Sequence, residues 1–429
     1  MILWLGLWKH RVGAEVKTLS ATSGSPFGAA VMTKFGLARH GTVRIDYSLK
    51  TLKGEDTSRA SMDRFNMMFI AVVLNEEQRS SYFAQFENEG EQVAMSSGDA
   101  NKYCNDPALA RVQMFGTGTY SHTLSGMDAR AEQASVVVLQ CKQGLGVQGP
   151  RITADLTVTM TNIRPDGGTD HLGVEDIMVI RTIEGALIMY WLMLGGLLAQ
   201  IYYNREHNRH LQYMFLTVLS WTIITTFVRH GRWSYMNNHG QKNIHFEYAN
   251  NMFVMIEEVI TLSCVLLMVL GWSTVHFRLT QIQIRVSAGA LGLFLVMGLG
   301  SSSCLEDTST ACESLFLVTY IIRALLMLGI IICLNFTITQ LRAMLAHTQW
   351  DPSSAYCYAR TKQFQTFRVG FVLYLLLPTA ILLVQDILYT WEQDWLGTAL
   401  PDILQVLMYL LVGSTFAPLK DHFINRAFR

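Results

Sequence analysis

Seven ionisable side chains lie in or beside strongly apolar sequence: Arg229, His230, Glu257, Glu258, Arg323, Asp386 and Asp402. A charge at the centre of a membrane helix costs about 2.5–3.5 kcal/mol on the insertion scale, so such groups face protein or water and pair with one another. The chemistry open to this set is ionic: a carboxylate beside a guanidinium locks helices together or holds a polar headgroup. At 1.5 Å per residue, Glu257 and Glu258 lie roughly 9 Å into their apolar window and Arg323 about 13 Å into its own. Arg323 at that depth needs a counter-charge, which Glu257 or Glu258 supplies. Asp402 and Arg229 lie near an apolar boundary, where interfacial water is an alternative partner.

Patterns that make or break bonds are missing from the sequence. It contains no His-Glu-x-x-His; His207 and His210 share a short segment with Arg205 and Arg209, which reads as a solvated basic turn. His230, His239 and His245 fall in one connection but lack the spacing of zinc ligands on a helix. The last apolar window has no lysine before Lys420, so a Schiff base with retinal is excluded. The run Gly271-Trp272-Ser273-Thr274-Val275-His276-Phe277-Arg278 lacks the Asp-Arg-Tyr of rhodopsin-like receptors, and the last window lacks Asn-Pro-x-x-Tyr. No nucleotide loop is found. The expectation is a protein that is not an enzyme, with no metal and no cofactor.

What positions the seven residues is a set of apolar windows. Of 429 residues, 50% are hydrophobic and 15% charged, with 33 basic against 33 acidic side chains. That balance excludes a disordered chain and a nucleic-acid partner, and the low charge points to lipid. Seven windows approach the ~20 residues that cross a bilayer: near 183–203, 211–229, 252–275, 286–303, 314–340, 369–389 and 399–419. The fourth is the weakest, being short and rich in Gly and Ser (Gly298–Ser303), with a re-entrant segment as its alternative. The chain divides into an extracytoplasmic domain (1–180), a seven-transmembrane bundle (181–420) and a short cytoplasmic tail (421–429).

Lys and Arg in short connections are retained on the cytoplasmic side. With the first domain outside, the inner segments hold Arg205, Arg209, Arg278, Arg285, Arg342, Arg360, Lys362, Arg368, Lys420, Arg426 and Arg429. The outer ones hold Arg229, Arg232 and Lys242. The N-terminus is therefore expected to be luminal or extracellular and the C-terminus cytoplasmic. The opening MILWLGLW is apolar but eight residues long, with Lys9 and Arg11 after it. Either the start lies upstream or the first membrane helix drives insertion. Four cysteines, Cys104, Cys141, Cys304 and Cys312, fall on the expected oxidising side; local pairing gives Cys104–Cys141 and Cys304–Cys312 as the simplest of three connectivities.

Within 1–180, Val43, Ile45, Tyr47 and Leu49 alternate with Arg44, Asp46 and Ser48, and Ile152–Met160 alternate in the same way. That period marks strands with one wet face. Phe65–Leu74 and Ala134–Cys141 are continuous enough for buried central strands. The expectation is an antiparallel β-sandwich, joined to the bundle through the turn around Pro165, Gly167 and Gly168.

The approach Asn162, His171, Leu172, Glu175, together with Gly271-Trp272 closing the third window, resembles the GOST family. These are seven-helix proteins with a Golgi-dynamics-like (GOLD-like) luminal domain; the most similar branch is the intimal-thickness-related receptor group, classed by its rhodopsin-like GPCR transmembrane domain. The resemblance implies a multi-pass protein of the Golgi, secretory pathway or plasma membrane, acting in trafficking, with receptor signalling proposed for some members. It also implies kinship with the Wnt carrier Wntless, whose bundle has a cavity open toward the outer leaflet.

From the residues, Arg229, His230, Glu257, Glu258, Arg323, Asp386 and Asp402 are expected to line an outward-opening polar cavity, widened by Gly298–Ser303 and Pro378. The functional expectation is a non-enzymatic carrier or cargo receptor that binds a luminal or extracellular protein and a membrane lipid or lipidated group. The alternative is a cell-surface GPCR-like signalling receptor. It would engage a cytoplasmic trafficking or G-protein partner through the basic loop 343–365, with Trp350, Tyr356 and Tyr358.

Overall fold

The computed structural model describes residues 16–22, 28–38, 40–51, 67–75, 92–94, 108–123, 132–142, 152–163, 167–203, 210–272, 279–304, 310–347, 353–388, 393 and 395–415. Among the described residues, ten strands precede seven helices. The strands are β1 (Val16–Thr22), β2 (Gly28–Leu37), β3 (Thr42–Thr51), β4 (Met67–Asn75), β5 (Gln92–Ala94), β6 (Ala110–Met114), β7 (Thr117–Thr123), β8 (Glu132–Lys142), β9 (Ile152–Ile163) and β10 (Thr169–Asp170). They form two antiparallel sheets, one ordered β1-β9-β3-β7 with β10 on β9, the other β5-β2-β8-β4-β6.

The two alternating segments pair directly. Ile45 stands opposite Val158 and Val43 opposite Met160 across β3 and β9, and all four side chains are buried. Polar residues of β3 stay on the wet face, where Asp46 accepts from Thr119 and Arg44 and Lys50 reaches Asp155. The two continuous runs became neighbours as β4 and β8. Their alternate residues Phe69, Ala71, Val73, Val136 and Val138 enter one apolar cluster with Val43, Ile45, Leu156 and Val158 of the other sheet. Ile70, Val72, Val137 and Leu139 are buried as well. Burial on both sides of a strand explains why these runs lack alternation.

The helices are α1 (Val174–Tyr203), α2 (His210–His239), α3 (Ile244–Val269), α4 (Gln281–Ser302), α5 (Thr310–His347), α6 (Ser353–Leu388) and α7 (Trp395–Thr415). All but α6 are, among the described residues, long and apolar enough to cross a membrane, which makes this a multi-pass membrane protein. Neighbours in sequence pack together from α1 to α7, and α7 returns to α1, closing a ring. Its core includes Phe215, Leu219, Val265, Phe294, Leu334, Phe367 and Tyr409. The outside is apolar too: Leu192, Ile282 and Phe336 are at least 65% exposed, as expected where acyl chains replace water. Tyr202, Tyr203 and Tyr213 project at the end far from the sheets, the level at which aromatic side chains meet headgroups.

The Gly-Trp pair has a specific structural role. Gly271 adopts φ +73°, a left-handed conformation cheap only for glycine. Its N–H reaches the Met268 carbonyl while Trp272 N–H reaches Leu267, the double bond of a Schellman cap. Trp272 then stacks on His210 at the start of α2, ring centroids 5.8 Å apart.

Helix α4 is continuous through the Gly-Ser stretch. Thr280 and Gln283 form a reciprocal cap at its start, and the hydroxyls of Ser301 and Ser302 bond back to the Gly298 carbonyl. Gly298 has no side chain because Met255 of α3 occupies that space. The expectation that this stretch loosens the bundle is thus corrected: the glycine brings α3 and α4 together. Pro378 lies within α6, its side chain outside the described set. Cys304 and Cys312 form a disulfide joining the end of α4 to the start of α5, Cα atoms 5.8 Å apart. Cys104 and the side chain of Cys141 lie outside the described residues.

Candidate functional site

Polar residues recur on one face of each of three helices that meet across the ring. On α7, Asp402, Gln405 and Tyr409 are spaced three and four apart; on α2, Thr222, Thr225, Thr226 and Arg229 follow the same rule; α3 adds Glu257 and Thr261. Helical spacing of this kind stacks side chains on one stripe. The three stripes meet in a seam at the centre of the bundle.

Glu257 is the focus of the seam. It is 6% exposed, and its Oε1 accepts from Thr222 Oγ1 at 2.9 Å and from Gln405 Nε2 at 2.6 Å. The Thr222 hydroxyl has one proton and lies near the Val218 carbonyl, Glu257 and the Tyr409 hydroxyl. The carboxylate is the strongest of these acceptors. Tyr409 therefore donates to Thr222 and accepts from Gln405 Nε2 at 3.1 Å. Tyr190 of α1, 2% exposed, packs obliquely against Tyr409 and closes that side. Toward the sheets, Arg229 Nη1 meets Asp402 Oδ1 at 2.5 Å, with side chains 20% and 10% exposed.

Glu258 points the other way from α3. Its Oε1 lies 2.6 Å from Arg323 Nε, an ionic contact whose N–H is off the hydrogen-bond line. Of the two partners open to Arg323, Glu258 takes the role and Glu257 belongs to the seam. His230 meets Glu184 of α1 at 3.2 Å in a more exposed position, and Arg232 pairs with Glu247 at 2.6 Å. The side chain of Asp386 lies outside the described residues. The sequence-predicted set thus divides into separate pairs, Arg229–Asp402, Arg323–Glu258 and His230–Glu184, with Glu257 held by neutral donors. Thr222, Gln405, Tyr409 and Tyr190 were missed because they carry no charge; the three-and-four spacing of the first three with Arg229 and Asp402 was the available signal, and Tyr190 had none.

A small cavity lies at the opposite end of the bundle, bounded by Leu197, Gln200, Gln212, Phe215, Met268 and Gly413. His230 and His239 belong to α2 and His245 to α3, so the expected shared loop is only the turn at 240–243. Among the described residues, no group of three or more His, Cys, Asp or Glu could hold a metal ion.

The segment between sheets and helices forms a second polar centre. Asn162 of β9 donates through Nδ2 to the carbonyls of Gly36 and Leu172, and its Oδ1 accepts from Ala38 N–H. One buried amide thereby ties β2, β9 and the connecting segment. Leu172 is fully buried among Val179, Ile183, Trp233 and Met236. His171 N–H reaches the Asn237 carbonyl near the end of α2, while Asn237 Nδ2 donates to Asp170 Oδ1 at 2.8 Å. Burial lowers the His171 pKa; the Asp170 carboxylate opposes that shift and nearby His239 reinforces it. The side chain of Glu175 lies outside the described residues.

No family model matches the chain, and no curated protein matches its sequence.

Proposed function

We propose that this is a non-enzymatic carrier or cargo receptor of the secretory pathway, allied to the GOST family. In this reading a luminal β-sandwich recognises a protein partner, and the sheet-side end of a seven-pass bundle holds a lipid or lipidated group. The N-terminus is luminal or extracellular and the C-terminus cytoplasmic. What supports the reading is the convergence of a two-sheet region, docked through Asn162 and Leu172, with ion pairs of α1, α2 and α7 at the same end of the bundle. A polar headgroup reaching Arg229, His230 or Arg323 would exchange one ionic partner for another, with little loss of pairing.

The triple variant Glu257→Gln, Glu258→Gln, Arg323→Met tests the proposal. The amide introduced by Glu257→Gln retains an oxygen for Thr222 and Gln405, so the fold should survive. Lipid co-purifying with the protein, measured by mass spectrometry after extraction, should fall. Normal cargo export and unchanged lipid in a folded variant would overturn the reading.

A GPCR-like surface receptor is the second reading, favoured by one observation at the other end. Tyr358 of α6 is 46% exposed, with the Lys362 ammonium 5.8 Å from its ring centroid, a surface suited to a cytoplasmic partner. Golgi residence by microscopy favours the carrier; a plasma-membrane pool that recruits G protein on ligand addition favours the receptor.

A further inference from the structure

We infer that His171 is the proton sensor of a latch holding the sheets against the helix bundle, and that its protonation releases the latch. This does not depend on the carrier reading, because it concerns only the joint between the two parts of the chain.

The latch is short and its attachments are specific. Residues 171–173 connect β10 to α1, and the joint is fastened by Asn162 Nδ2 to the Leu172 carbonyl, by His171 N–H to the Asn237 carbonyl and by Asn237 Nδ2 to Asp170 of β10. The apolar anchor Leu172 sits beside Val179, Trp233 and Met236. Two further polar atoms at this joint, His171 Nδ1 and Asn237 Oδ1, are buried with no hydrogen-bond partner among the described residues.

The neutral ring can leave Nδ1 as a bare lone pair and keep its proton on Nε2. Adding the second proton would put a donor on Nδ1, where no acceptor of the described residues reaches it, and a charge in a partly buried site. The charged and titratable groups around it do not change this balance. Asp170 attracts the imidazolium, but its Oδ1 is already engaged by Asn237. His239, stacked on Tyr235 at 4.2 Å on α2, repels it. Asp176 of α1 is buried nearby, its N–H bonded to the Gly173 carbonyl.

The linkage follows. Freed from the joint, His171 regains the ordinary pKa of about 6.5, whereas in the joint it is held lower, chiefly by burial. The released form therefore binds the proton better, and docking weakens as pH falls through and below 6.5. A protein moving from a neutral to an acidic compartment would loosen its sheets from its bundle.

Hydrogen–deuterium exchange of the full chain in nanodiscs, corrected for the intrinsic pH dependence of exchange, reads the latch. Peptides covering 167–174 and the last turn of α2 should exchange roughly three- to tenfold faster at about pH 5.5 than at about pH 7.4, within the tenfold per pH unit that one proton allows. His171→Gln should remove that dependence. His239→Gln, which leaves the latch residues in place, should move its midpoint to higher pH and keeps the test available if His171→Gln misfolds. Equal exchange at both pH values in the wild type, or an unaltered pH response in His171→Gln or His239→Gln, would overturn the inference.

Discussion

Arg229 and Asp402 form, with Arg232 and Glu247, the two least exposed ion pairs among the described residues. Removing one member leaves its partner charged in a place where solvent cannot compensate, so Arg229→Met should destabilise the protein by about 3 kcal/mol, the low end for broken buried pairs given the residual exposure. The double variant Arg229→Met, Asp402→Leu should lose less than the single one, since neither charge is stranded. For Glu258 and Arg323, the 23% and 31% exposure of the side chains is toward apolar surroundings rather than water, so a stranded carboxylate is no better compensated and Arg323→Met should likewise cost about 3 kcal/mol. Thermal melts of the purified variants decide the matter; a double variant as unstable as the Arg229→Met single one would contradict the stranded-charge argument. Charge made Arg229, Glu257, Arg323 and Asp402 visible in the sequence. Pairing was not visible, because Glu257 and Glu258 are adjacent in the chain and only the rotation of α3 sends them to different neighbours.

Elements were legible where a period was strong and blurred where hydropathy stood in for geometry. The alternation in Val43–Leu49 and Ile152–Met160 identified β3 and β9, and the continuous runs identified β4 and β8, because strand periodicity and two-sided burial leave opposite signatures. Apolar windows underestimated the helices: α2 runs to His239 and α3 begins at Ile244, since hydrogen-bonded turns continue past the apolar section and Arg232–Glu247 ties their polar ends. The Gly-Ser stretch of α4 misled for a related reason. Glycine density suggested looseness, yet Gly298 is where Met255 packs. Gly298→Leu should therefore overpack the α3–α4 contact and cost about 1–3 kcal/mol. By contrast Gly292, with nothing near the position of an added Cβ, should accept Leu with little loss. Comparable melting shifts in both variants would show that α4 does not use Gly298 as a contact point.

At the scale of the whole molecule, the distribution of Lys and Arg makes a claim that cysteine chemistry can check. The disulfide Cys304–Cys312 joins α4 to α5, and Cys357 is a free, half-buried thiol near the start of α6. Helix α5 separates these two positions, and with 38 residues it is long enough to place them on opposite membrane faces. With the sheets on the luminal or extracellular side, Cys304 and Cys312 share that side and Cys357 faces the cytosol. An impermeant maleimide applied to intact cells carrying the protein at their surface should leave Cys357 unmodified. The same reagent, after an impermeant reductant, should modify Cys304 and Cys312. Permeabilising the membrane should then expose Cys357. Labelling of Cys357 in intact cells would invert the topology and place the sheets, the Arg229–Asp402 end of the seam and the His171 joint on the cytosolic side. The ion pairs and the latch would remain as packed, but a luminal cargo could no longer reach them.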